Sequence, residues 1–127
     1  MKRIAFILCL TTLCGNLTLA EGIQNIEAKQ AAALLQKTPS ITVLDVRTVD
    51  EFANGHIEGA KLLDATKPDF KKQLEKLDRN KSYLLHCASG GRSKRALAVM
   101  KQLGFANIYH LDSGFAGWEE AKLPSAD

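Results

Sequence analysis

At 127 residues, 46% of them hydrophobic and 24% charged, the chain can bury one core of useful size and is too short for two ordinary domains. Its 17 basic residues outnumber 14 acidic ones for a formal net charge of +3, but they form no stripe interleaved with aromatics, which argues against a nucleic-acid partner.

The N-terminus accounts for most of that positive charge. Met1-Lys2-Arg3 is a short basic region, followed by an apolar run from Ile4 to Leu10 that Leu13 extends. The run closes at Thr18-Leu19-Ala20, with small residues at both positions that a signal peptidase reads. This predicts a secretory signal peptide over residues 1–20, a domain over residues 21–127 starting at Glu21, and a periplasmic location. A membrane span needs about 20 apolar residues, and Thr11, Thr12, Gly15 and Asn16 interrupt this run. A lipid anchor is not expected either, because Leu8 and Leu13 stand where a small residue would precede Cys9 or Cys14. Without residues 1–20 the chain keeps 107 residues, 15 basic and 14 acidic, for a net charge of +1. A monomer with no membrane attachment is expected. Cys9 and Cys14 leave with the signal, so Cys87 remains alone and an internal disulfide framework is excluded. Such a cysteine is either a small buried hydrophobe or a working thiol.

Along the domain, Ala28 to Gln36 is rich in Ala and Leu, with Ala28, Ala31, Ala32 and Leu35 on one helical face. Thr38-Pro39-Ser40 stops that helix, since proline has no N–H and biases the residue before it away from helical angles. Ile41 to Val46 is β-branched and mostly apolar, as in a strand covered on both faces. Thr48 and Glu51 have the spacing of a capping box that opens a short helix, and Asn54-Gly55-His56 closes it. Ile57 to Leu63 can hold another short strand. Pro68 fits the first turn of a third helix, with Phe70, Leu74 and Leu77 on one face.

The next stretch carries the chemistry. Tyr83-Leu84-Leu85 reads as a buried strand, and from Lys94 to Leu103 the residues Ala96, Val99, Met100 and Leu103 recur at helical spacing. Between them lies His86-Cys87-Ala88-Ser89-Gly90-Gly91-Arg92-Ser93. A thiolate at Cys87 would sit where a strand ends and a helix begins, near the positive end of the helix dipole. Two adjacent glycines let backbone N–H groups turn inward around an anion. They also argue against a cysteine buried inside regular structure. Gly104 ends the helix, Ile108 to Leu111 reads as a last strand, and Phe115 to Ala121 as a short helix carrying Trp118, with Pro124 beyond it. Alternating strands and helices predict an α/β domain with a mainly parallel central sheet and helices on both faces, its site beyond the carboxyl ends of the strands.

Three segments carry a resemblance. They are Leu44-Asp45-Val46-Arg47 through Glu51-Phe52 to Gly55-His56-Ile57-Glu58-Gly59-Ala60, the loop from Cys87 to Arg92 followed by Ser93, and Leu111 through Gly114-Phe115 to Trp118. In this order and spacing the chain resembles the rhodanese-like sulfurtransferase family over most of residues 21–127. Behind a signal peptide, it looks like the small periplasmic thiosulfate sulfurtransferases of the phage-shock type. The resemblance implies a single rhodanese-like domain in which Cys87 takes a sulfur atom from thiosulfate or a similar small-molecule donor. The persulfide then gives its outer sulfur to a thiophilic acceptor, cyanide or a thiol. The alternative is a persulfide carrier or binding module that delivers sulfur to a protein partner without turnover of small molecules. By the same resemblance the amides of Ala88, Ser89, Gly90, Gly91 and Arg92 cradle the transferred group, and Asp45 and Arg47 support the sheet. No cofactor is implied. Two departures stand out: Asp112-Ser113-Gly114 replaces the paired glycines common in the family, and Ala88 is uncharged where some members have a basic residue.

The remaining polar residues read as follows. Asp45 and Arg47, oppositely charged and two apart beside a strand end, form a structural pair rather than acid-base catalysts. Arg92 either holds charge near the bound anion or ties the loop to an acidic neighbour, and Ser93 either starts the helix or touches substrate. His56, His86 and His110 show no helical ligand spacing and there is no C-x-x-C, so no metal is expected. Strand alternation points His86 to the face opposite Cys87. Trp118 and Phe115 read as core. Cysteine-dependent phosphatases also close a cysteine loop with arginine, usually across five residues. Ala88 to Gly91 make four, which leaves room to surround one sulfur atom and not a phosphoryl group with its leaving group in line.

Overall fold

The computed structural model describes residues 22–127. The expected export segment, residues 1–20, lies outside them. Five strands, β1 (Gly22–Ile26), β2 (Thr42–Asp45), β3 (Lys61–Leu62), β4 (Ser82–His86) and β5 (Asn107–Leu111), form one sheet in the order β1-β5-β4-β2-β3. Every pairing in it is parallel. Five helices alternate with them: α1 (Ala28–Lys37), α2 (Val49–Ala53), α3 (Phe70–Glu75), α4 (Gly91–Gln102) and α5 (Gly114–Glu120). The expected α/β architecture is the observed one.

Side-chain alternation along the central strands builds a core on each face. Leu44, Val46, Tyr83, Leu85, Cys87 and Ile108 pack with Leu74 of α3 and Ala96 and Met100 of α4. Val43, Leu84, Tyr109 and Leu111 pack with Ala28 and Ala31 of α1 and Phe115 and Trp118 of α5. Each fully buried leucine or isoleucine contributes about 1.5–3 kcal/mol through the apolar surface it withdraws from water. From β2 the chain moves outward to β3, and from β4 it moves outward to β5 on the opposite side. The crevice between the carboxyl ends of β2 and β4 is therefore the switch point of the sheet, where sites form in folds of this kind.

Four local expectations are corrected. β1 was not expected, because Gly22, Gln24 and Asn25 have poor strand propensity; this edge strand forms by pairing with β5, a tertiary effect. The strand expected over Ile57 to Leu63 shrinks to Lys61–Leu62, because Gly59, at φ +78°, turns the chain and the Ala60 N–H bonds back to the Ile57 carbonyl at 3.0 Å. Pro68 lies in the turn before α3 rather than in its first turn. Helix α4 begins at Gly91, three residues earlier than its apolar spacing suggested, which places Arg92 and Ser93 within the helix. The capping box of α2 is as expected, with Thr48 and Glu51 bonded reciprocally. Trp118 is core, its indole N–H donating to the Pro124 carbonyl at 2.9 Å.

Candidate active site

Cys87 follows the last residue of β4 directly and lies outside regular structure, yet it is only 1% exposed. Gly90 is the N-cap of α4 at φ +106° and supplies no side-chain cap, so the first N–H groups of the helix remain free to face an anion. The Gly90 N–H donates to Cys87 Sγ at 3.0 Å. Burial, the largest single influence, pushes the Cys87 thiol up. The hydroxyl and N–H of Ser93, with the N–H groups of Gly90 and Ser89, together outweigh it and hold the thiol below its ordinary value. Of the expected Ala88–Arg92 stretch, Ser89 and Gly90 act as donors on the sulfur and Ala88, Gly91 and Arg92 do not, while Ser93 lies one residue beyond it.

The loop keeps this form because α5 grips its other side. The Phe115 N–H donates to the Cys87 carbonyl at 2.8 Å and the Ala116 N–H to the Ala88 carbonyl at 3.0 Å. Both carbonyls are thereby turned away from the sulfur. The close approach requires two glycines. A Cβ on Gly114, at φ +66°, would run into the Ala88 carbonyl, and one on Gly90 would run into the Asp112 carbonyl. Ser113, in place of the first of the family's paired glycines, sits at φ −73° and needs no left-handed backbone.

Arg92 ties the loop to an acidic neighbour. Nη1 and Nη2 contact Glu51 Oε1 and Oε2 at 2.6 and 2.9 Å, a two-pronged pair. The Arg92 guanidinium, offset in part by burial, brings the Glu51 carboxyl down to about 2. Glu51 Oε1 also accepts the Thr48 N–H at 3.1 Å, so one carboxylate caps α2 and anchors the start of α4. The capping role was legible from the Thr48–Glu51 spacing; the anchoring role was not, because 41 residues separate Glu51 from Arg92.

Behind the loop lie two buried polar groups. On the α5 face, Arg47 makes a bidentate pair with Asp45, with Nη2 to Oδ2 at 2.7 Å and Nε to Oδ1 at 3.0 Å. It also donates to the Gly55 carbonyl at 2.8 Å and covers the Phe115 ring at 4.2 Å. These contacts fit the expected structural pair. His86 lies on this same face, against Phe115 and opposite the core that holds Cys87, as alternation required. Its Nδ1 lies 2.9 Å from the Cys87 carbonyl oxygen, and burial above all lowers its pKa. On the α4 face, Ser93 does not start the helix: its hydroxyl lies 2.8 Å from His110 Nε2, whose Nδ1 lies 3.0 Å from Asn25 Oδ1. His110 and Asn25 were missed, though His110 shares strand parity with core residue Ile108 and so had to face α4. No group of three His, Cys, Asp or Glu among the described residues could hold a metal ion.

The rhodanese-like domain model matches residues 27–121, three-quarters of the chain. The chain belongs to the rhodanese-like domain family. Among relatives of this rhodanese-like chain, the thiosulfate sulfurtransferase GlpE of Tolumonas auensis is 35% identical over 94 residues, covering 73% of this chain and 85% of that protein. The GlpE of Stutzerimonas stutzeri is 33% identical, with 75% and 84% covered. The probable adenylyltransferase/sulfurtransferase MoeZ of Mycobacterium tuberculosis is 33% identical over 66% of this chain, which spans only 21% of that longer protein. Among solved structures, the rhodanese-related protein of Thermoplasma volcanium superposes with a TM-score of 0.70 at 31% identity, covering 81% of this chain and 97% of its own. This rhodanese-like domain therefore has sulfurtransferases as homologues, and Cys87 occupies the strand-to-helix loop at the switch point of its sheet.

Proposed function

We propose that the protein moves sulfane sulfur from thiosulfate, or a similar donor, through a Cys87 persulfide to cyanide or a thiol. The observation that carries this reading is the Gly90 N–H on the Cys87 sulfur at the uncapped start of α4, in a loop whose N–H and hydroxyl groups hold the thiol below its ordinary value and so favour the thiolate. The thiolate attacks the outer sulfur of thiosulfate. As the new S–S bond forms, the old one breaks and sulfite leaves with its electron pair. Cyanide then attacks the outer sulfur of the persulfide, thiocyanate departs, and the electron pair of the broken bond returns to Cys87 as thiolate. The donors that held the thiolate are in place for this returning charge.

A second reading, the persulfide carrier serving a protein partner, is favoured by one observation. The only cation in the loop, Arg92, is engaged by Glu51, and Ala88 to Gly91 add none, so the cradle offers no free side-chain charge to a dianionic donor. Cyanide-dependent production of thiocyanate from thiosulfate separates the two. Turnover that disappears in Cys87→Ser supports the enzyme, and a folded protein that gains sulfur but makes no thiocyanate supports the carrier. An aryl phosphate should not be hydrolysed; efficient Cys87-dependent hydrolysis without thiosulfate turnover would overturn both. We propose that the protein is a periplasmic monomer, the location on the strength of residues 1–20. Intact mass of the exported form should correspond to a chain starting at Glu21, and retention of Met1 would contradict that. Among the described residues no helix is long and apolar enough to cross a membrane.

A further inference from the structure

The Cys87 carbonyl accepts two hydrogen bonds, from the Phe115 N–H at 2.8 Å and from His86 Nδ1 at 2.9 Å. A carbonyl oxygen only accepts, so His86 carries a hydrogen on Nδ1, and in the neutral ring Nε2 is a bare acceptor. That nitrogen is buried and has no hydrogen-bond partner. It faces Asp45 Oδ2 at 3.7 Å, a carboxylate oxygen already engaged by Arg47. A buried acceptor left unpaired is costly, so an apolar side chain would serve packing alone better than this imidazole does. Protonation would add a hydrogen at Nε2 and leave the Nδ1 bond in place, so the grip on the carbonyl holds in both charge states.

The peptide that joins Cys87 to Ala88 is trans and planar, so its C=O and N–H point in opposite directions. His86 and Phe115 hold the C=O on the α5 face of the sheet. The Ala88 N–H is therefore turned the other way, towards the face on which the Cys87 side chain packs, and it donates to no group among the described residues. One hydrogen bond tolerates a broad range of carbonyl directions, and a second donor narrows it. We propose that His86 is a positioning residue for sulfur transfer: by gripping the Cys87 carbonyl it aims the Ala88 N–H at the outer sulfur of a Cys87 persulfide. The inference deepens the sulfur-transfer reading and rests on it. In an ionised persulfide the outer sulfur carries the negative charge, and an N–H directed at it favours that ionised form.

The test uses a persulfide loaded from inorganic polysulfide, so thiosulfate turnover is not involved. The Cys87 thiolate takes the terminal sulfur, and the shortened polysulfide leaves with the electron pair of the broken S–S bond. Ionisation of the persulfide is then followed by its ultraviolet absorbance against pH. His86→Leu removes both the donor and the bare acceptor at similar volume. Its persulfide should ionise about one pH unit higher, the tenfold loss expected for one hydrogen bond to a charged atom, with little change in the urea midpoint. His86→Asn puts an amide N–H where Nδ1–H was, in a smaller side chain, so it should unfold at lower urea and still ionise its persulfide close to the unmodified value. A packing role would make ionisation follow stability. An unshifted persulfide in His86→Leu, or shifts in the two variants that track their urea midpoints, overturns the inference. NMR of the unmodified protein decides it even where a variant does not fold: neutral His86 should carry its hydrogen on Nδ1, and the Ala88 amide proton should move downfield on loading. A hydrogen on Nε2, or an Ala88 amide that does not respond, overturns it. A protein that takes no sulfur even from polysulfide overturns the sulfur-transfer reading as well, whereas a loaded protein that fails these readouts overturns the positioning role alone.

Discussion

Two buried polar clusters flank the crevice beyond β2 and β4, one on each face of the sheet, and they differ in how their hydrogen bonds close. Around Asp45 and Arg47, charge meets opposite charge, and the guanidinium is taken up by the carboxylate, the Gly55 carbonyl and the Phe115 ring. Around Cys87, neutral donors converge on a sulfur that no cation of the loop neutralises. A cluster that satisfies itself can only hold structure. One that presents spare donors to a single atom stabilises a charge that comes and goes, as sulfur transfer requires.

The largest effect should come from breaking the self-satisfied cluster. Asp45→Ala leaves Arg47 charged and buried without its partner, and should cost about 3–5 kcal/mol in urea unfolding. A loss below about 1 kcal/mol would mean that the pair is not a structural keystone. Gly114→Ala attacks the other cluster through its backbone. The strained φ and the clash with the Ala88 carbonyl should cost about 1–3 kcal/mol. They should also raise the thiol's pKa as the loop is pushed out of place. A destabilised variant with an unshifted thiol would show that α5 does not shape the cradle.

Acid should weaken both regions. Glu51 has a folded pKa of about 2 against an ordinary 4.5, so its contribution is complete above about 4.5 and disappears as pH falls towards 2. His86 and His110 are held neutral below their ordinary 6.5, so the unfolded chain takes up protons first and their contribution, complete above 6.5, fades below it. The slopes share one sign. The urea midpoint should therefore fall steadily from neutral pH towards about pH 3, and a midpoint that rose on acidification would contradict these shifts. The smallest effect belongs to Glu51→Gln. The pair with Arg92 is partly exposed, so stability should change by about 1 kcal/mol or less, while the freed guanidinium should lower KM for thiosulfate. An unchanged KM would show that Arg92 cannot reach the donor.

What could be read from the sequence depended on the range of the interactions. The capping box of α2, the stop after α1, the strand entering Cys87 and the glycines of its loop are encoded within a few residues, and all were legible. Strand β1 was not, since Gly22, Gln24 and Asn25 become a strand only against β5. The helix after Cys87 was read late because Gly91, Arg92 and Ser93 do not belong to the apolar stripe that marked it; Gly90 at positive φ starts it instead. The same limit hid part of the site. Ser93 and His110 are 17 residues apart, and His110 and Asn25 are 85 apart, so their contact exists only once α4 and β1 are packed against β5. The Arg92–Glu51 pair is a similar case: either role for Arg92 fitted the loop, and only the placement of α2 beside it decided which contact forms.

The most direct test of the account is the intact mass of the protein after incubation with thiosulfate and removal of small molecules. A single added sulfur, present in the unmodified protein and in Asp45→Asn to the extent that it is folded, and absent from Cys87→Ser, is the predicted result. A Cys87→Ser protein that still gains the sulfur, or a folded unmodified protein that gains none from thiosulfate or a thiol persulfide, would contradict the assignment of Cys87 as the sulfur acceptor.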